Sequence, residues 1–177
     1  GTQYWIGSLG SKSYETIGAY YVDEGFDSDF HCHLYTADGV TNVPNDDPQG
    51  PGTSNPDDDF PTNGKAYKLG FENENLGSTF YFTGEMEGYY GATTTDFDSG
   101  VDVITEKSGD GWKLSFNNGS KQYIGVTISG SHTNFTYGNS INCVWTYDAD
   151  YDTFLTTISG TQYWIGSLGS KSYETIG

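Results

Sequence analysis

The sequence predicts an all-β fold, and three observations carry that prediction. Short runs of alternating apolar residues are separated by Gly-, Asn- and Asp-rich turn signals. Tyr, Thr, Gly, Ser and Asn are abundant while Leu, Ala, Met and Arg are scarce, a mixture that favours strands and tight turns over helices. No stretch sustains a 3.6-residue apolar period over three turns.

The first element in the chain is also the last. Gly1–Gly18 reads GTQYWIGSLGSKSYETIG and recurs without a substitution as Gly160–Gly177, a period of 159 residues. Ancient duplications drift, so such identity marks either a duplicated end or a window on a homogenised tandem array, and the array is the preferred reading. Ala19–Tyr35 continues with two more strand-like pieces. From Thr36 to Gly64 the pattern stops: Pro44, Pro48, Pro51, Pro56 and Pro61 all fall here, with Asp38, Asp46, Asp47, Asp57, Asp58 and Asp59 and no basic residue. Such a stretch cannot bury a core and reads as an acidic, semi-extended linker.

From Lys65 the strand signals resume. Tyr67–Phe71, Thr79–Thr83, Tyr89–Thr94, Val101–Glu106, Trp112–Phe116 and Lys121–Ile128 are followed by Asn134–Tyr137, Cys143–Tyr147, Phe154–Ile158, Tyr163–Gly166 and Tyr173–Gly177. Turns such as Ser108-Gly109-Asp110-Gly111 and Asn117-Asn118-Gly119 join them. In an array, residues 1–35 are the closing strands of the preceding domain, 36–64 the linker, and 65–177 the next domain, completed by a further copy of 19–35. Three blocks open on Tyr67-Lys68-Leu69-Gly70, Tyr123-Ile124-Gly125 and Tyr163-Trp164-Ile165-Gly166, which predicts a β-trefoil-like domain, with a β-sandwich as the alternative.

The segments KAYKLGF, FYFTGEMEGYYGATTTD, VDVITE, GWKLSF, KQYIGVTISGSHTN, VWTYD, FLTTI and TQYWIGSLGSKSYETIG resemble a tandem β-rich repeat domain of large secreted or surface-attached bacterial proteins. The closing YWxG…YxTxG signature is the most specific part, and the linker lies outside the likeness. The resemblance implies an extracellular modular role and supplies no catalytic residues.

The net charge of −17 excludes the clustered Lys and Arg that nucleic acid or an anionic membrane requires, and no apolar run approaches a membrane span. Cys32 and Cys143 each alternate with apolar neighbours and read as inward-facing. Cys143 is therefore expected to form a disulfide with the following repeat's Cys32. His31 and His33 flank Cys32 but point to the opposite face of a strand, and are expected to be solvent-facing. Asp148, Asp150 and Asp152 read as a polar hairpin turn. No cofactor or metal site is expected. Calcium on the linker is the sharper alternative, with Asp57, Asp58 and Asp59 as hard oxygen donors, though the DxDxDG…E spacing is missing. The pairs Glu85/Glu87 and Asp96/Asp98 have nothing to set them apart from the other acids, and no catalytic motif occurs, so no enzyme is expected. Asn118 and Asn134 stand in N-glycosylation sequons. Tyr89, Tyr90 and Trp112 are candidates for stacking on sugar rings.

The function expected from these residues is structural: an extracellular or cell-surface fibre or stalk whose partners are other copies of itself. A carbohydrate-binding module arrayed for avidity toward glycans is the alternative.

Overall fold

Alternation along Ala66–Asn73 shows how the sequence becomes a sheet. Tyr67, Leu69 and Phe71 point inward and are fully buried, while Ala66 and Glu72 are exposed. The computed structural model describes residues 32–37, 39, 60–73, 76–130, 132–149, 152–167 and 176–177. Among them are eleven strands: β1 His33–Tyr35, β2 Ala66–Asn73, β3 Ser78–Glu87, β4 Tyr90–Thr94, β5 Asp102–Ser108, β6 Gly111–Asn118, β7 Ser120–Ser129, β8 His132–Gly138, β9 Thr146–Asp148, β10 Thr153–Ile158 and β11 Thr161–Trp164. The fold is all-β, as the composition predicts.

Eight strands form one sheet in the order β4-β3-β2-β5-β6-β7-β8, with β1 added to β2, and β11-β10-β9 form a second sheet. The large sheet curls until its two ends nearly meet. A Cβ on Gly91 of β4 would lie 3.1 Å from the Phe135 ring of β8, and the Phe82 and Phe135 rings are 5.3 Å apart. The result is a nearly closed, barrel-like sheet filled by Phe82, Leu114, Phe116 and Ile124. A register shift between Phe82 and Met86 in the β3–β4 pair helps the curl, and Gly84 supplies the positive φ of +84° there.

The second sheet is fastened to the barrel by backbone. Trp112 and Trp145 exchange two N–H···O bonds of 2.8 Å, and the buried Trp145 indole donates to the Ile124 carbonyl at 3.1 Å. Gly91 and Ile176 exchange a further pair, at 2.6 and 2.9 Å.

Strand β2 has neighbours on both edges. Lys68 pairs with Asp102 of β5 and with Tyr35 of β1; Gly70 pairs with Tyr81 of β3 and with His33 of β1. A strand residue has only two edges, so β3 and β5 share one of them and β1 covers the other.

Two differences from the sequence reading concern boundaries. Phe60–Gly64, assigned to the linker, is packed on the domain: Pro61 is buried, Thr62 N–H donates to the Tyr67 hydroxyl at 3.0 Å, and Gly64 N–H donates to the Thr105 carbonyl at 2.6 Å. The strand read at Cys143–Tyr147 is only Thr146–Asp148, because the preceding residues wrap the glycine face at Gly111 and Gly125. The three Tyr-led motifs fall in β2, β7 and β11, strands with different sets of neighbours. Gly1–His31, most of the linker and most of Tyr173–Gly177 lie outside the described residues.

A methyl group at Gly70 would meet the Phe80 carbonyl oxygen at 2.4 Å and the Tyr81 ring at 3.0 Å. Backbone cannot yield as a side chain can, so Gly70→Ala is expected to destabilise the fold by about 1–3 kcal/mol, read as a lower urea midpoint with an unchanged slope.

Candidate functional site

The residues brought together with least warning from the sequence lie where β1 enters between the two sheets. Cys32, His33, Leu34 and Tyr35 are all buried, so this strand is covered on both faces. Cys32 N–H donates to the Ile165 carbonyl at 3.0 Å, and Thr153 Oγ1 donates to the Cys32 carbonyl at 3.0 Å. One strand therefore bonds to β2 of the large sheet and to the β10–β11 hairpin of the small one.

A buried polar cluster stands at the same joint. Asp152, 1% exposed, sits at a positive φ of 47° in the turn before β10, a conformation that Asp tolerates better than most residues. Tyr147 Oη donates to Asp152 Oδ1 at 2.5 Å. His33 Nδ1–H donates to the Asp152 backbone carbonyl at 2.9 Å, which fixes that nitrogen as the protonated one, and lies 3.6 Å from Oδ2. Burial pushes the Cys32 thiol well above its usual range and is the main reason the Tyr35 hydroxyl is raised too. Nothing here lowers a nucleophile's pKa. The joint is a buried lock in which Asp152 Oδ2 alone accepts no hydrogen bond among the described residues.

One expectation is corrected at this point. His33 is buried rather than solvent-facing, because β1 lies between two sheets instead of on a surface. Asp152 does lie in the turn between β9 and β10, and it is buried there because Tyr147 and His33 close over it. Cys32 and Cys143 of this chain are not paired with each other: both are free thiols, Cys32 beside Ile165 and Cys143 with its Sγ 3.5 Å from Thr156 Oγ1. The bond expected to a following repeat's Cys32 involves a residue outside this chain. Burial raises the Cys143 thiol as well, partly offset by its contact with Thr156.

A second feature is an open groove lined by Phe60, Asn63, Lys107, Asp110, Trp112 and Tyr147. Lys107 Nζ sits 4.4 Å from the centre of the Trp112 ring, so one face of this candidate sugar platform carries the chain's own cation. Tyr89 is 70% exposed on the β3–β4 turn, and Tyr90 is half-buried beside it. The three aromatics are not gathered in one described groove.

Asn118 is exposed on the β6–β7 turn, its amide donating to the Gly84 carbonyl at 3.2 Å; Asn134 is half-buried in β8. Asp57, Asp58 and Asp59 lie outside the described residues. Among the described residues no group of three or more His, Cys, Asp or Glu side chains is placed to hold a metal ion.

No family model, no curated protein and no solved structure matches this chain.

Asp152→Ala removes the acceptor of the half-buried Tyr147 hydroxyl and a residue suited to positive φ, and is expected to cost about 1–3 kcal/mol in denaturant unfolding. Asp152→Asn keeps an acceptor and a residue tolerant of positive φ, and should lose less. Alkylation of the native protein followed by mass spectrometry should find both thiols slow, with Cys143 modified before Cys32; rapid labelling of Cys32 would contradict the burial of β1.

Proposed function

We propose that this chain is a non-enzymatic structural protein of the cell exterior, built from tandem copies of one barrel-like domain and assembling with other copies of itself into a filament. The observation that carries the reading is the position of β1. It completes the domain from across the acidic linker, and in sequence it follows a second copy of the segment that forms β11. Each copy of the completing strand thus comes packaged behind a copy of the preceding domain's last strands. Identical units with identical contacts make heterologous joints, and a joint that does not close on itself generates a filament.

The trefoil-like reading of the three Tyr-led blocks rests on the sequence motif, and the sheet order supports only a barrel-like unit. The resemblance to repeat domains of secreted and surface-attached proteins and the high acidic charge support an exterior location. A glycan-binding module is the second reading, supported by the Trp112–Tyr147 groove, with Lys107 over the Trp112 face standing against it.

Negative-stain electron microscopy of the native material tests the proposal. Regular filaments with an axial repeat of one domain are expected. Separate beads on a flexible string, retarded by polysaccharide in an affinity gel, would replace the structural reading with the binding module.

A further inference from the structure

The free edge of β2 is a slot, and the strand that fills it is available from more than one place. Without β1, the backbone edge at Lys68, Leu69 and Gly70 is unpaired and the core cluster around Leu69 and Ile165 loses Cys32 and Leu34. This chain's own β1 reaches the slot through residues 36–59. In a tandem array a second copy of the strand follows Gly177 through a copy of residues 19–31. That copy starts close to the slot: Gly177 and Gly166 exchange backbone bonds of 3.1 and 2.8 Å, next to Ile165, whose carbonyl accepts from Cys32. Loop-closure entropy separates the two routes by only about two- to threefold.

We propose that the slot on β2 accepts the Cys32–Tyr35 strand of a second copy of this chain, so that successive copies are joined head to tail by an exchanged strand. The inference rests on the filament reading and gives it a joint. A donated strand carries the same four side chains, so it restores the pairing with Lys68, Leu69 and Gly70. It also restores the His33 contact with Asp152 and the Thr153 bond to the Cys32 carbonyl. The slot does not distinguish donor from owner. What separates them is the tether, and residues 36–59 carry six Asp and no Lys beside a domain of the same sign, which favours an extended tether over one folded back. In the exchanged state that tether is the connection between neighbouring domains.

The test is a lock on the owner's strand. Tyr35 and Lys68 are register partners, so a Tyr35→Cys/Lys68→Cys chain closes its own slot when oxidised and frees it when reduced. The unmodified chain and the reduced variant should form filaments, while the oxidised variant should stay monomeric in light scattering and microscopy. Addition of reductant should restore growth, which separates a lock from a folding defect. Filaments from the oxidised variant as readily as from the unmodified chain would overturn strand exchange and leave the filament reading standing. Absence of filaments from all three forms would overturn both. As a second measurement, an equimolar mixture of Tyr35→Cys and Lys68→Cys single variants, assembled and then oxidised, should give a disulfide-linked band at twice the chain mass. Its absence from assembled material would also overturn the exchange.

Discussion

An unpaired sheet edge is the constraint on which the rest of this structure depends. The large sheet escapes most of the problem by curling until β4 and β8 nearly meet. Strand β2, however, gives one edge to two partners, β3 and β5, and leaves the other along Lys68–Gly70 for β1 alone. A three-residue strand from across the linker covers it. That short strand also accounts for the attachment of the small sheet, since its opposite side bonds to Ile165 and Thr153. In its register Leu34 stands opposite Leu69 and His33 opposite Gly70.

The polar residues at the joint follow from the same constraint. A strand inserted between two sheets has no solvent-facing side, so an imidazole on it must find a partner. Asp152 provides one through its backbone carbonyl, and Tyr147 bonds one of its two carboxylate oxygens. The cluster orders the turn into β10 and so places Phe154 in the core. Its value is in fixing one arrangement of strand and hairpin more than in net stability, since buried polar groups gain little over apolar ones of the same shape.

Much of the fold was legible because each strand obeys a period of two and each turn carries its own chemistry. Tyr67, Leu69 and Phe71, and the Ser108–Gly111 turn, are read correctly from neighbours alone. The joint was not legible, because its logic is non-local. His33 and Asp152 stand more than a hundred residues apart, and nothing near either one says that both faces of β1 are covered. Asp152 in DADYDT is indistinguishable from a solvated turn residue until Tyr147 is seen above it. Cys143 misled for a different reason: its alternation with Trp145 and Tyr147 reads as strand, but the backbone there follows the glycine-lined surface of the barrel. Of the candidate sugar-stacking residues, Trp112 was found beside a groove, though its ring already holds a lysine.

The lysines have a wider consequence. Lys65, Lys68, Lys107, Lys113 and Lys121 each hold their ammonium group within 6 Å of an aromatic ring centre. These five of the seven lysines lie against the chain's own rings, and the net charge of −17 leaves a strongly anionic field around the molecule. Two such molecules laid side by side repel within a Debye length, about 8 Å at physiological ionic strength. In the filament proposed above, contacts between copies would be confined to places where backbone pairing or apolar burial outweighs that repulsion. Growth along an axis would then be favoured over lateral bundling, and added salt or a divalent counter-ion would be the natural way to bring such fibres together.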